Sequence, residues 1–421
     1  MCDDCDGYSP AIEPKPPMIE KRCVFHIIGY EPLVPERIHR RFERGLESFR
    51  QTWNATATQS PPVASGPVVA WQINSAGADW HVATEVVLFD WSDIVLADFA
   101  RPRWRIILRG FSAIFDFAFS RAAAGYLRTN WRYLLFFIYP MLLLALFAVV
   151  SYLAAILAVA AGVPSPEWFG PLIGVAAFVL LLHLVGPKLY LDFVLCDWSF
   201  AADLVRRRRP DLDARLERLT AEFAERVRRF DGDEIIVFSH SFGAVIMLLV
   251  VARALRKDPL LARRGFGINL VSAGSSLLKI GLHRSASDLR NAVRDVIEEP
   301  AIFWAEFQAL VDPVNFYKTD PVVEMGLPAC GKPIVRIVRI RDMLSAESYR
   351  RMRGQFFRIH RQFVLGNERR YFYDFFMMCC GPLPLQEWVT RPELALAKFS
   401  ETSAPAVSPV ESVPLIKTGP P

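Results

Sequence analysis

The sequence predicts an α/β fold built on a mainly parallel sheet and interrupted by a two-helix transmembrane hairpin. Three observations predict it. Short β-branched and aromatic runs alternate with amphipathic helical stretches through both ends of the chain. The centre carries 34 residues without a charge, Tyr133 to Pro166, and after Glu167 a second uncharged run from Trp168 to Pro187. Finally, Ser239-His240-Ser241-Phe242-Gly243 joins the apolar run 234–238 directly to the apolar run 244–250.

The bulk properties agree. A chain of 421 residues suffices for one large domain with an appendage; 52% of it is hydrophobic and mean hydropathy is positive, which places part of it in lipid. The net charge of +5 comes mostly from arginines that flank the apolar spans, so it reads as a membrane-surface feature and not as a nucleic-acid groove. Seven thinly spread cysteines make no disulfide framework. Cys2 and Cys5 lie in a polar terminus with no second pair, and Cys379-Cys380 read as reduced packing residues, which suits a cytoplasmic body. The first 25 residues lack the basic start and apolar core of a signal peptide.

Residues 1–20, with Pro14, Pro16 and Pro17, read as a disordered N-terminus. Residues 21–95 form the first part of the α/β domain: a strand at 22–28, an amphipathic helix at 35–53, a Ser/Pro/Ala loop at 56–67, and strands at 68–73 and 81–89. Residues 96–132 read as basic helices on an anionic membrane surface, because seven arginines between Arg101 and Arg132 sit among large apolar residues with Asp116 the only acid. Residues 133–190 form the hairpin. A bilayer-crossing helix needs roughly 20 apolar residues; the first run exceeds this and the second just reaches it. His183, near the end of the second helix, reads as packed or interfacial.

The connecting turn at 163–170 has no arginine or lysine, whereas both outer flanks are basic, the second through Lys188 and Arg206–Arg209. Both termini and the α/β body are therefore expected in the cytoplasm. Residues 205–400 complete the α/β domain. They hold a helix at 211–230 with Leu212, Leu216, Leu219, Phe223 and Val227 at helical spacing, then the 234–238 strand and a helix to 255. Strands at 267–273, 302–309 and 333–339 follow, with helical stretches over 284–299 and 345–357. Residues 401–421 read as a disordered tail.

A serine in a tight turn between a buried strand and a helix is the local architecture of a nucleophile elbow, small-x-Ser-x-Gly. The turn brings the strand and helix backbones together, so it needs small residues two before and two after the serine; Ser239 and Gly243 supply them. Over residues 22–95 and 205–375 the sequence resembles the α/β-hydrolase family. The resemblance implies the chain order serine, acid, histidine, each at the carboxyl end of a strand. Ser241 is then the nucleophile and His360, after the 333–339 strand, its base; His283 comes too early. Two Asp-Pro-Val triplets offer the acid: Asp312, directly after the 302–309 strand, and Asp320 further on. The implied oxyanion donors are the backbone N–H of Phe242 and that of Gly29 or Tyr30 in the turn after the first strand. Here Ile27-Ile28 separate His26 from Gly29, and His26 and His240 read as structural.

The hairpin leaves after a strand that ends at 89 and returns into a helix whose N-terminus lies at the same, carboxyl, edge of the sheet, the edge of Ser241. The membrane is therefore expected beside the site. The resemblance and this topology together imply a membrane-anchored serine hydrolase (esterase or lipase) cleaving a carboxylic ester that is lipid-like or membrane-proximal. Its expected partners are that substrate and an anionic membrane surface, with no nucleic acid, no cofactor and no metal. Two other readings stay open: amide or thioester cleavage or acyl transfer on the same fold, and a non-catalytic membrane scaffold.

Overall fold

A computed structural model describes residues 18–161 and 166–399. The expectations for residues 1–17, the Cys2/Cys5 pair, the centre of the hairpin turn and the tail beyond 399 fall outside these. The described part of the N-terminus is docked, contrary to the expected disorder up to residue 20: Ile19 is buried and its N–H donates to Pro382 O at 2.8 Å.

One nine-stranded sheet runs through the body. Its strands are β1 (Lys21–Ile27), β2 (Thr56–Gln59), β3 (Val63–Ser65), β4 (Val68–Ala76), β5 (His81–Phe89), β6 (Glu234–His240), β7 (Ile268–Ala273), β8 (Ile302–Ala309) and β9 (Ile334–Val338). Their order is β2-β4-β5-β1-β6-β7-β8-β9, with β3 beside β4. From β5 to β9 every pairing is parallel; β2 and β3 pair antiparallel with β4, and β4 with β5. The fold is therefore α/β with a mixed, mostly parallel sheet. The expected loop at 56–67 is instead two short edge strands. They are largely exposed and polar, so no apolar alternation marks them.

Alternation along the central strands separates two cores. Cys23, Phe25, Ile235 and Val237 face one side, which is covered by α3 (Arg103–Phe119), α7 (Leu191–Val205), α8 (Pro210–Arg229), α9 (Gly243–Lys257) and α11 (Ser287–Glu298). Val24, Ile28, Ile236 and Phe238 face the other, covered by α1 (Pro35–Trp53) and short C-terminal helices. Cys379 and Cys380 lie in this second core as free thiols, and burial pushes that of Cys380 up to about 12. Strand β1 is the switch point: the chain moves to β5 on one side and crosses to β6 on the other. In such sheets the crevice at the carboxyl ends lies between the diverging loops.

Between β5 and β6 the chain makes the helical insert. It contains α2 (Ser92–Phe99), α3, α4 (Ala122–Thr129), α5 (Trp131–Ala160), α6 (Phe169–Leu184) and α7. Helix α7 falls where the sequence carried no assignment, and it is buried along most of its length. Gly110 of α3 allows it to pack closely, because a Cβ there would meet Leu195 Cβ at 2.6 Å. Arg103 pairs with Asp192 at 2.9 Å and Arg109 with Asp203, so part of the basic segment clamps α3 to α7 and is not presented to a membrane.

Helix α5 has 30 residues, about 45 Å at the α-helical rise, and is long and apolar enough to cross a membrane. Its first half roots in the body through Tyr133, Phe136, Phe137 and Leu144, while Leu146, Val149, Leu153 and Leu157 stand exposed. Helix α6 has only 16 residues, about 24 Å, short of a hydrocarbon core of roughly 30 Å. Among the described residues the structure thus shows one helix of spanning length, where the sequence led us to expect two. The uncharged run of Trp168–Pro187 is spent partly on a turn and on the 3-10 turn Pro187–Leu189.

The elbow is held by backbone approach. A Cβ on Gly243 would meet the carbonyl oxygen of Ile28 at 2.7 Å and that of Ile27 closer still. These are backbone atoms at the end of the central strand and cannot step aside. Gly243→Ala should therefore lower the unfolding free energy by about 2–3 kcal/mol, measured by denaturant unfolding in a neutral detergent.

Candidate active site

Register assembles the site. Ile27 pairs with Ser239 across β1 and β6, and His240 pairs with Ala273 across β6 and β7. One step further along the parallel strands, the turns holding Gly29, Ser241 and Gly274 converge at the carboxyl edge. Strand β6 runs to His240, two residues beyond the expected end, so Ser241 is the first residue of the turn. Its φ is +55°. A side chain there costs about 1–2 kcal/mol in backbone strain. Hydrogen bonds hold the conformation: Ser241 N–H donates to Ala273 O at 3.1 Å, and Ser241 O accepts from Ala244 N–H and Ser276 N–H. Ser239 is fully buried, its hydroxyl satisfied by Val271 O at 2.8 Å.

His360 lies in the short helix Phe356–Arg361 and is buried. The expected helix over 345–357 is in fact two pieces, Ala346–Met352 and this one, broken at Gly354 with φ +86°. The break delivers His360 to the carboxyl edge. Its Nδ1 bonds Asp312 Oδ2 at 2.7 Å. Asp312 is itself buried, and its other oxygen accepts from Val314 N–H at 2.9 Å. Its backbone carbonyl accepts from Asn315 Nδ2 at 2.7 Å.

Asp320 makes no such bond. It caps the short helix Pro321–Glu324, accepting from Val322 N–H at 2.8 Å and Val323 N–H at 3.3 Å. Of the two candidate acids, the structure brings only Asp312 to His360.

The remaining ring nitrogen, His360 Nε2, is buried and has no hydrogen-bond partner among the described residues. It lines the same cavity as Ser241, whose Oγ faces Ser276 Oγ at 3.4 Å. A Cβ on Gly274, whose φ is +54°, would meet the Phe363 ring at 2.8 Å and His360 Cε1 at 3.2 Å, so a side chain there would crowd both rings. No hydrogen bond joins Ser241 Oγ to His360 Nε2 in this conformation.

The implied oxyanion donors also converge. A Cβ on Gly29 would meet Ser241 Cβ at 2.9 Å and Oγ at 3.4 Å, so Gly29 packs directly on the serine. Among the described residues none accepts a hydrogen bond from the backbone N–H of Gly29, Tyr30 or Phe242. The Tyr30 hydroxyl is engaged elsewhere, donating to Asp98 at 2.9 Å. Tyr30 and Phe242 are buried in one aromatic cluster with Trp91 and Phe200, which fixes their backbones.

One residue read as structural belongs to the site. His240 lines the cavity, its ring 4.5 Å from that of His360, and its Nε2 bonds the His360 carbonyl at 3.0 Å. Burial holds its pKa well below the usual histidine range, so the ring is neutral and donates through Nε2. The available signal was its position as the last strand residue before the serine. His26, by contrast, packs among Phe42, Phe238 and Phe375 in the second core and is structural as expected. His283 sits against Phe117 and Asp116, within the insert's packing.

The cavity holds about 630 Å³ and is lined by Gly29, Tyr30 and Leu33 from the segment after β1, by Pro187 and Tyr190 from the segment after α6, and by Phe193 of α7. Tyr139 of α5 donates to Leu189 O at 2.7 Å, tying the apolar helix to the segment after α6. Among the described residues no group of three His, Cys, Asp or Glu side chains is placed to hold a metal ion.

The fold and site define an α/β protein in which a serine in a strained strand-to-helix turn shares a cavity with a histidine–aspartate pair. No family model, no curated protein and no solved structure matches this chain.

Behind the elbow, Glu306 of β8 is buried and accepts from Ser275 Oγ at 2.6 Å and from Ser272 Oγ. Burial raises its carboxyl to about 7 from 4.5. The folded state therefore binds this proton more tightly than the unfolded chain, and stability falls as pH rises from the unfolded value through 7. Glu306→Gln should reduce the stability difference between pH 5 and pH 8 by roughly 2 kcal/mol, seen in denaturant unfolding at the two pH values.

Proposed function

We propose that this chain is a membrane-anchored serine hydrolase of the α/β-hydrolase type, cleaving a carboxylic ester at the cytoplasmic face of a membrane. One observation carries the reading: Ser241, Asp312 and His360 occur in that chain order, after β6, β8 and β9, with Asp312 bonded to His360 at 2.7 Å and Ser241 at φ +55° in the cavity it shares with His360. A serine is a weak nucleophile until a base takes its proton, and the base works only in the tautomer with Nε2 free. The Asp312 bond to Nδ1 selects that tautomer.

The chemistry follows. Ser241 Oγ attacks the ester carbonyl carbon while His360 Nε2 accepts its proton. The developing oxyanion takes hydrogen bonds from the Phe242 N–H and from Gly29 or Tyr30. The carbon–oxygen bond to the alcohol breaks, and His360 returns the proton to the leaving alkoxide. Water, deprotonated by the same histidine, then attacks the acyl-enzyme and releases the acid.

The membrane half of the reading rests on the insert. Helices α5 and α6 form the hairpin, which enters the bilayer with both ends in the cytoplasm, since the basic residues flank its outer ends. The exposed Trp104, Leu108, Phe115 and Phe119 lie along one face of α3, and Arg105, Arg121 and Arg132 have no acidic partner among the described residues. That mixture suits a helix lying at an anionic lipid surface.

A fluorophosphonate probe should label the wild-type protein and not Ser241→Ala; absence of wild-type labelling would favour a scaffold. Asp312→Asn should lower kcat for ester hydrolysis by about 10³-fold or more. Asp320→Asn should keep near-full activity and cost at most about 1 kcal/mol of stability through its helix cap. His240→Phe, which drops the bond to the His360 carbonyl, should lower kcat by about 10²-fold with little change in KM. His240→Gln, which retains a donor, should recover part of that loss.

A further inference from the structure

The lining of the Ser241 cavity says what kind of ester fits, given the hydrolase reading on which this step rests. Arg37, Lys188 and Arg361 line the cavity. None of the three has a carboxylate partner among the described residues, although arginines elsewhere in the chain are widely paired. The two carboxylates in the lining are already engaged: Glu31 with Arg41 at 2.9 Å, and Asp197 with Lys279. The wall therefore presents three uncompensated positive charges. The rest of it is largely apolar, through Leu33, Tyr190, Phe193, Val314 and Phe357.

Lys188 also fixes the depth of this charge. It lies in the turn Pro187–Leu189, directly after α6 ends at Leu184, and that turn is bonded to Tyr139 of α5. A lysine at the end of an apolar membrane helix stands at the level of the lipid headgroups. The basic wall of the cavity and the phosphate layer of the cytoplasmic leaflet thus coincide.

We propose that the cavity takes a glycerophospholipid, with its acyl ester at Ser241 and its phosphate among Arg37, Lys188 and Arg361. Arginine and lysine are the side chains suited to a phosphate, the one through its planar fork and the other as a point charge. Ser241 Oγ bonds to the acyl carbonyl carbon and the acyl–glycerol oxygen bond breaks. The glycerol oxygen leaves with the proton that His360 carried, and water then releases the fatty acid. The apolar lining receives the acyl chain.

The test compares two monomeric substrates in neutral detergent, dihexanoylphosphatidylglycerol and dihexanoylglycerol, which share their ester and differ in the phosphate headgroup. In the wild type, kcat/KM for the phospholipid should exceed that for the neutral diester by about 100-fold. The triple variant Arg37→Gln, Lys188→Gln, Arg361→Gln should reduce that ratio by roughly 100-fold, about fivefold per charge. If the triple variant does not fold, Lys188→Gln alone should lower the ratio about fivefold. Arg264→Gln, beside Arg228 near the amino edge of the sheet, serves as the charge control and should leave the ratio unchanged.

Equal rates on both substrates, or a ratio the variants do not change, would overturn the phospholipid assignment while leaving the hydrolase reading intact. Glycerol 1-phosphate competing as strongly as the phospholipid would assign the site to soluble phosphate esters and also overturn it. If neither substrate is cleaved and the fluorophosphonate does not label, the hydrolase reading falls. Calorimetric binding of dihexanoylphosphatidylglycerol to Ser241→Ala then decides: binding weakened by the triple change supports the site, and absent or unaltered binding overturns it.

Discussion

The carboxyl edge of this protein depends on one backbone contact, the approach of the first turn of α9 to the end of β1. Gly243 faces the carbonyl oxygens of Ile27 and Ile28 with no room for a Cβ. That closeness forces the sharp turn that leaves Ser241 at positive φ. It also places Gly29, the residue just past the same strand, against the serine. The strain is small beside the stability of the buried strands that bracket the turn: β1, β6 and β7 are buried at every residue except Lys21. A strained turn persists only when its surroundings over-determine it, and here three parallel strands do so.

The helical insert and the candidate site are parts of one packing unit. Tyr133, near the root of α5, stacks on Phe316 with ring centroids 4.0 Å apart. Phe316 lies four residues beyond Asp312, in the loop after β8. Tyr190, in the segment after α6, and Phe193 of α7 pack against Phe357, three residues before His360. The two segments that carry Asp312 and His360 are therefore each wedged by aromatic residues of the insert. Any displacement of the insert therefore bears on the geometry of the pair through direct contacts and not through a distant relay.

Much of the fold was legible because its signals are local. The helix Pro35–Trp53 and the strands His81–Phe89 and Ile302–Ala309 occur at the bounds their periodicity predicts. Strands β2 and β3 were not legible, since short edge strands beside β4 have almost no buried face to enforce alternation. Helix α7 is apolar on most sides and buried against α3, so it carries little amphipathic signal. His360 was reached from chain order, but the Gly354 break that aims it was not, because a glycine's positive φ is a choice made by its neighbours.

By itself, the sequence determined what neighbours along the chain can enforce: the small-x-Ser-x-Gly turn between strand and helix, the long apolar helix, and the arginines around it. Only the tertiary structure decided between the two aspartates. Asp312 and Asp320 each stand in an Asp-Pro-Val triplet, and local chemistry cannot separate them. The difference is what each carboxylate meets: Asp320 spends its oxygen on the first turn of its own helix, and Asp312 is buried with one oxygen left for a histidine 48 residues away. The cavity's lining was likewise decided in three dimensions. Gly29, Lys188, Ser241 and His360 come from four distant segments, and sheet register and hairpin packing are what bring them together.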